Sequence, residues 1–98
     1  MERAKVKDYS LGGVAFFLED SQRLNLNDSV QELELSVPQG DRWITFHIPQ
    51  AVVRRREKDF LGKEICALLF QDLPEITKES LWRHLFEEER AFLQKAKK

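Results

Sequence analysis

The stretch that most restricts the fold of this chain is Asp8–Gly13, with the sequence Asp-Tyr-Ser-Leu-Gly-Gly. It lies between Lys5–Lys7, which alternates polar and apolar residues, and Val14–Leu18, which is almost continuously apolar. Asp and Ser side chains accept hydrogen bonds from main-chain amides two residues on, and glycine lets the backbone bend without a Cβ in the way. The sequence therefore predicts two strands joined by a tight turn. The same acceptors beside bare backbone also suit a bound ligand.

Two longer runs predict a β-hairpin in the middle of the chain. Gln31–Val37 alternates, with its leucines and valines on one face, and the run Trp43–Ile48 alternates in the same way after turn residues at Pro38–Asp41. Alternation with a period of two is the pattern of a half-buried antiparallel strand. Pro49 has no N–H to donate to the ladder, so we expect a bend or bulge there before a further strand at Ala51–Arg56.

The last strand and a C-terminal helix are predicted to pack on each other. Gly62–Phe70 is apolar on both faces, and such a strand needs a second layer over it. Thr77 is the expected N-cap of the helix. The apolar residues of this segment recur at intervals of three and four positions, as on one side of a helix: Leu81, Trp82, Leu85, Phe86, Phe92, Leu93 and Ala96. We expect most of this stripe to pack on the sheet, with Phe92 and Leu93 available to a partner protein.

Length and charge restrict the classes of partner. The 98 residues suffice for one domain, and sixteen Lys and Arg against seventeen Asp and Glu give a net charge of −1. Such a balance attracts neither a nucleic acid polymer nor a membrane surface. The sequence has no apolar run of about 18 residues for a membrane span and no apolar signal segment at its start. Cys66 is the only cysteine and lies between apolar residues, so we predict a buried thiol in a cytoplasmic protein.

Residues for catalysis or metal binding do not form a recognisable set. His47 and His84 have no cysteine or carboxylate at metal-ligand spacing, and we expect a pairing of His84 with Glu88 to lie on a charged helix surface. The glycine-rich phosphate loops of nucleotide enzymes are absent from the sequence, and nothing places a histidine near Ser10. We therefore predict no catalytic residues, no metal, no cofactor and no enzyme activity.

Asp8, Ser10 and Gly13, followed by an apolar strand, resemble the Asp/Asn-x-Ser-x-x-Gly signature of the PilZ domain family. Weaker matches follow in the family's order, over most of the chain: Gln50–Arg54, Gly62, Ala67–Leu73, and a helix with Leu81, Leu85 and Arg90. The resemblance implies a single domain over residues 1–98 that is mainly β. It would be a small antiparallel PilZ-like β-barrel at about 4–73 with a C-terminal α-helix at about 77–96. The resemblance also implies a receptor for the bacterial second messenger cyclic di-GMP.

The resemblance implies that Asp8, Ser10 and Gly13 bind the nucleotide. The two side chains would bond base edges or hydroxyls, and the glycine would allow close approach. The family's other signature, Arg-x-x-x-Arg, belongs well upstream of this turn, but only seven residues precede Asp8. Arg3 and Lys7 have the right spacing, yet they adjoin the turn, and we do not accept them as the pair. Either the chain is truncated at its start or the protein lacks the pair, so we expect these residues to bind cyclic di-GMP weakly.

Arg54–Arg56 is the basic cluster that a phosphate-binding role would use. On a regular strand Arg54 and Arg56 share a face, while Arg55 points away. The simpler interpretation is a solvated strand end. The alternative is that Arg54 and Arg56 hold phosphate, since guanidinium groups form paired hydrogen bonds with phosphate oxygens, and we include both in the predicted nucleotide site.

The sequence leaves two functions open. The first is a PilZ-like cyclic di-GMP-binding signalling domain that transmits the signal to a protein partner through the C-terminal helix. The alternative is a degenerate PilZ-like adaptor that binds no nucleotide and acts through protein–protein contacts. A barrel that starts at Lys5 lacks the strand before the turn, which leaves strand edges unpaired, so we predict a homo-oligomer. The net charge of −1 disfavours a nucleic-acid-binding barrel.

Overall fold

Five antiparallel strands form one curled sheet, and a long helix follows them. The computed structural model describes residues 4–19 and 23–96, with the side chains of the helix described as far as Glu88. The elements are β1 (Val6–Tyr9), β2 (Gly13–Phe17), β3 (Ser29–Gln39), β4 (Arg42–Lys58), β5 (Glu64–Gln71) and α1 (Glu75–Ala96). The prediction of a mainly β fold with a C-terminal helix is confirmed.

The strands are arranged in the order β1-β2-β5-β4-β3, and every neighbouring pair is antiparallel. β4 is the longest strand because it pairs with β3 through its first part and with β5 through its second. The expectation that no strand precedes the signature turn is wrong, because β1 lies there and pairs with β2. β1 and β3 lie at the two edges of the sheet. In the described residues the sheet therefore curls into a half-barrel with two open edges.

The core lies between the inner face of this sheet and one side of α1. The predicted alternation of the central hairpin is confirmed, since Leu35 and Val37 of β3 and Phe46 and Ile48 of β4 are buried while the residues between them are exposed. Leu81 of α1 is completely buried in the same cluster. Because sheet and helix bury their apolar residues against each other, neither layer would keep a dry core without the other.

The prediction that β5 is buried on both faces is wrong towards its C-terminal end. Cys66 and Leu68 lie on the inner face and are buried. On the outer face Ile65 is buried, but Ala67 is half-buried and Leu69 is 39% exposed. The reason is that α1 packs on the inner face, and no other element in the described part of the chain covers the outer face at Ala67 and Leu69.

β4 passes through Pro49 without the predicted bulge. The β3–β4 register is the same on both sides of this proline, and Glu32, which lies opposite it in that register, has a φ of 56°. The irregularity at this position is therefore in the partner strand. β4 bulges further on, between Val53 and Arg55, in its pairing with β5. A bulge inserts one extra residue and so changes which side chains share a face.

α1 begins at Glu75, ahead of the predicted N-cap Thr77. The N–H of Lys78 donates to the carbonyl oxygen of Pro74 at 2.9 Å, which is the first bond of the helix. Pro74 therefore occupies the N-cap position, and Thr77 lies inside the first turn. Proline is tolerated at a helix start because it has no N–H to leave unpaired. Within the described residues, no helix is both long and apolar enough to span a membrane.

The apolar stripe of α1 divides between two faces. Leu81 and His84 are buried on the sheet side and Leu85 is half-buried there. Trp82 and Phe86 are 56% and 45% exposed, and their rings stack with centroids 5.4 Å apart. The expectation that these two aromatic residues pack on the sheet is wrong, because each step along a helix turns the side chain by about 100°. The remaining apolar positions lie outside the described side chains: Phe92, Leu93 and Ala96.

Candidate functional site

The turn between β1 and β2 is held by its own hydrogen bonds. The Ser10 N–H donates to the Gly13 carbonyl at 2.8 Å, and the Gly12 N–H donates to the Ser10 Oγ at 3.3 Å. The Gly12 carbonyl also accepts the N–H of Phe70 at 2.9 Å, which joins the turn to the end of β5. The predicted turn role of Ser10 is therefore confirmed, and the turn is anchored on a second strand.

Gly13 is needed because β2 and β5 approach each other closely at this point. Gly13 pairs with Leu69, and a Cβ built on Gly13 would lie closer than 3.0 Å to the carbonyl oxygen of Leu68. A Cβ on Gly12 would meet nothing within 4 Å. The close approach that this glycine allows in the fold is thus to the backbone of the neighbouring strand.

The outer face of the sheet carries a row of residues that starts at Asp8. Asp8 pairs with Ala15 across β1 and β2, Ala15 pairs with Ala67 on β5, and Ala67 pairs with Arg55 on β4. Paired residues point to the same side, so the Cα atoms of Asp8 and Arg55 lie roughly 14 Å apart on this face, with two alanines between them. The Asp8 carboxylate accepts a hydrogen bond from Lys7 Nζ at 3.3 Å and is largely exposed.

The bulge in β4 rearranges the three arginines. After it, Arg55 pairs with Ala67 and Arg56 pairs with Cys66, so Arg55 lies on the outer face and Arg56 on the side of the core. Arg54 and Arg55 together line a groove on the outer face, whereas Arg56 forms an ion pair with Glu64. The prediction that Arg54 and Arg56 share a face is wrong, because that prediction assumed an unbroken alternation.

The groove is shallow and open, and it lies beside the turn. Its floor is β5, where Ala67 and Leu69 face outward; the turn on one side offers a hydroxyl with bare backbone, and β4 on the other side offers Arg54 and Arg55. The residues that line it are Ser10, Gly12, Gly13, Arg54, Arg55, Ala67, Leu68 and Leu69. Such a surface can hold a flat ring on its floor and anionic groups against the arginines. Asp8 does not line the groove but belongs to the same outer face.

Sequence comparison decides the family. The family model of the PilZ domain matches residues 2–87 of the chain. The chain belongs to the PilZ domain family. No curated protein sequence matches it.

Solved PilZ structures share the fold of this PilZ domain. YcgR from Escherichia coli in complex with c-di-GMP superposes with a TM-score of 0.77 at 22% identity, covering 94% of this chain and 37% of that one. The Bacillus subtilis inhibitor of motility MotI/DgrA gives a TM-score of 0.72 at 21% identity, covering 85% and 39%. The PilZ domain of E. coli YcgR with c-di-GMP superposes with a TM-score of 0.66 at 23% identity, covering 95% of this chain and 76% of that one. The chain thus spans less than two fifths of the first two proteins.

The inner side of the PilZ signature strand is linked to the helix. Tyr9 lies between Asp8 and Ser10 in sequence, and its hydroxyl is 2.7 Å from Nε2 of His84. The two rings stack with centroids 5.8 Å apart, and Phe46 packs against the imidazole at 5.7 Å. His84 is only 2% exposed, so the expectation of a surface histidine is wrong. Its Nδ1 has no hydrogen-bond partner in the described part of the chain.

Burial also affects two ionisable groups next to the core. Burial raises the pKa of Tyr9, and the nearby carboxylate of Glu88 raises it further. The Cys66 thiol is completely buried as predicted, and burial raises its pKa although Arg56 acts in the opposite direction. Cys66 is therefore held as an unreactive thiol. Within residues 4–19 and 23–96, His, Cys, Asp and Glu side chains form no cluster suited to a metal ion.

Proposed function

We propose that this PilZ domain binds cyclic di-GMP in the groove beside the Asp8–Gly13 turn. The observation that carries the proposal is the placement of Arg54 and Arg55 opposite the signature turn. A cyclic dinucleotide carries two phosphates, and guanidinium groups form charge-assisted, paired hydrogen bonds with phosphate oxygens. Family membership and the fold shared with two c-di-GMP-bound YcgR structures support the same ligand.

Each residue of the proposed site, meaning the groove residues and Asp8 on the same outer face, has a distinct role. Arg54 and Arg55 hold phosphate, Ser10 and Asp8 bond base edges or hydroxyls, and the bare backbone at Gly13 lets the ligand approach. A guanine or ribose packs on the apolar floor. Arg56 stays a prediction as a ligand residue, and its ion pair with Glu64 competes with that role.

The expected affinity is modest, because these residues lack the upstream Arg-x-x-x-Arg pair and only Arg54 and Arg55 would contact phosphate in the open groove. Each missing charge-assisted hydrogen bond lowers affinity by ~1.5–3 kcal/mol, or about tenfold and more. We therefore expect a Kd above about 1 μM for these 98 residues. A submicromolar Kd would mean that other cations of the chain complete the phosphate site.

Titration calorimetry with cyclic di-GMP tests the proposal, with GMP as the control ligand. Arg54→Ala and Arg55→Ala should each weaken binding at least tenfold, since each removes charge-assisted bonds. Arg42→Ala is the matched control, because it removes the same charge from an exposed residue at the far end of β4 that does not line the groove. Equal losses from all three variants would show that only general positive charge matters. An absence of binding at millimolar ligand would refute the nucleotide function.

We propose further that the domain acts on a protein partner through α1. The stacked pair Trp82 and Phe86 offers a partly exposed aromatic surface on the side of the helix away from the sheet, and aromatic residues are enriched where proteins contact each other. The same surface favours the second candidate, an adaptor that binds no nucleotide. Binding of cyclic di-GMP that changes the fluorescence of Trp82 would support the sensor, and an adaptor would show neither binding nor change.

The remaining parts of the proposal concern assembly, location and activity. The open edges at β1 and β3 favour a homo-oligomer, because unpaired strand edges gain hydrogen bonds by pairing with a second copy. Sedimentation at tens of micromolar protein tests this, and a strictly monomeric species would contradict it. A cytoplasmic location agrees with the buried, unpaired Cys66. We assign the domain a receptor role without enzyme activity.

A further inference from the structure

The signature strand presents Tyr9 to the core and its two neighbours to the outside. Asp8 is exposed on the outer face and Ser10 lines the groove. Tyr9 is half-buried, packs against the core cluster and pairs with the buried Val14. Successive residues of a strand point to opposite faces. A ligand that bonds Asp8 and Ser10 therefore acts on the same short piece of backbone that carries the Tyr9 ring.

The hydroxyl of this tyrosine ends at a buried imidazole on α1. It lies 2.7 Å from Nε2 of His84, and the two rings stack. Phe46 of β4 also packs against the imidazole. His84 lies between Leu81 and Leu85 in the sequence, and those two leucines pack the helix on the core. A side-chain hydrogen bond thus runs from the signature strand into the contact between helix and sheet.

The imidazole of His84 is bonded at one nitrogen only. Its Nδ1 is buried and has no hydrogen-bond partner among the described residues. If the tyrosine donates to Nε2, the ring proton lies on Nδ1 as an unpaired donor. If Nε2–H donates to the hydroxyl oxygen, Nδ1 is an unpaired acceptor. Either arrangement costs free energy in the docked helix, and the bond to Tyr9 offsets part of that cost. Docking of α1 therefore depends on where the tyrosine hydroxyl is held.

We propose that the Tyr9–His84 contact couples the nucleotide groove to α1, so that occupancy of the groove and docking of the helix stabilise each other. The inference rests on the proposed binding of cyclic di-GMP. Ligand bonded to Asp8 and Ser10 holds the strand where the tyrosine reaches the imidazole, and the docked helix holds the strand ready for ligand. Such coupling is reciprocal, because each event raises the equilibrium constant of the other by the same factor. Tyr9 and His84 act as positioning residues, since neither lines the groove.

The coupling gives the aromatic surface of α1 a physical link to the ligand. Trp82 lies two positions before His84, and Phe86 lies two positions after it. A change in the docking of His84 therefore moves the stacked aromatic pair with it, because all three belong to the same stretch of helix. Trp82 consequently serves as a reporter of the docked state.

Tyr9→Phe tests the coupling, because it removes the hydroxyl and keeps the ring. In titration calorimetry it should weaken binding of cyclic di-GMP by ~5-fold or more. In a Trp43→Phe chain the emission of Trp82 should respond to ligand, and Tyr9→Phe should abolish that response. Gln39→Ala is the matched control, since it removes another hydrogen bond between sheet and helix, from Gln39 Nε2 to Glu87 at 3.1 Å, away from the signature strand. It should leave both affinity and response unchanged.

A double variant separates the coupling from stability. Tyr9→Phe with His84→Leu replaces both polar partners by apolar groups, which is nearly neutral for stability. Its Tm should therefore stay close to that of the parent chain, while the response of Trp82 to cyclic di-GMP is absent. A double variant that keeps its Tm and keeps the response overturns the coupling.

Hydrogen exchange without ligand tests the contact independently of nucleotide binding. The Ser10 N–H, which donates to the Gly13 carbonyl, should exchange faster in Tyr9→Phe than in Gln39→Ala, because the strand has lost its bond to the helix. Equal exchange rates in the two variants overturn the proposal whether or not the chain binds nucleotide. Binding of cyclic di-GMP that leaves the emission of Trp82 unchanged also overturns the coupling but keeps the nucleotide function. An absence of binding refutes the nucleotide function, and the linkage of groove to helix fails with it.

Discussion

Gly13→Ala is expected to destabilise the domain strongly, although it adds only one methyl group. The new Cβ would lie closer than 3.0 Å to the carbonyl oxygen of Leu68, whose position is fixed in β5. Relief requires β2 and β5 to separate by on the order of 1 Å, which strains a packed region by ~1–3 kcal/mol. It also threatens the bond from Phe70 N–H to the Gly12 carbonyl, worth ~0.5–1.5 kcal/mol. The sum is a loss of roughly 1.5–4.5 kcal/mol.

Thermal and urea unfolding measure this loss, which corresponds to a drop in Tm of roughly 6–36 °C for a domain of this size. Gly12→Ala is the control, because its Cβ meets nothing within 4 Å and its φ is not in the positive region. That change should leave stability unaltered or raise it by ~0.4–1 kcal/mol. If Gly13→Ala and Gly12→Ala have the same Tm, the close approach of β2 and β5 is not the reason for a glycine at position 13. If Gly13→Ala then also loses cyclic di-GMP binding, the signature glycine serves the ligand alone.

Three further predictions concern the turn, the helix and the half-buried tyrosine. Ser10→Ala should lower the free energy of unfolding by ~0.5–1.5 kcal/mol in chemical denaturation, since it removes the hydroxyl that accepts the Gly12 N–H. Asp8→Ala should lower it less, because the Asp8 carboxylate bonds only an exposed lysine. The reverse order would contradict the geometry. Leu81→Asp should unfold the chain or lower its free energy of unfolding by more than ~3 kcal/mol, because Leu81 is completely buried. Trp82→Asp should change the free energy of unfolding by no more than ~1 kcal/mol, because Trp82 is largely exposed. Equal losses of stability would mean that both side chains are buried. Tyr9 is the only tyrosine, so tyrosinate absorbance reports it alone. Because its pKa is raised in the folded state, its contribution to stability is fully present below about pH 10 and is lost as pH rises through the folded-state pKa. Titration at the ordinary pKa would show that the hydroxyl is not desolvated.

The local pattern of residues was sufficient to predict the strands of the central hairpin and the signature turn. Leu35 and Phe46 are buried where period-two alternation places them, because a half-buried antiparallel strand leaves that pattern in its own residues. Ser10 bonds the amide two residues on, a contact that depends on the turn sequence alone. The family signature is equally local, and the family match confirms it.

Features that depend on pairing with a distant strand are not predictable in this way. The bulge of β4 is defined only against β5, and nothing in Val53-Arg54-Arg55 marks it, so the sequence does not identify Arg55 as a groove residue. The sequence predicts a surface position for His84 because its partner Tyr9 lies 75 positions away along the chain.

The mainly β fold, the signature turn and the family follow from the order of neighbouring residues. The folded molecule is needed to show that Arg54 and Arg55 line the groove while Arg56 pairs with Glu64, and that the backbone of Leu68 leaves no room for a Cβ on Gly13. The physical reason is that strand register and helix rotation are set by the packing of the whole core, so side chains far apart in sequence meet only when that core forms.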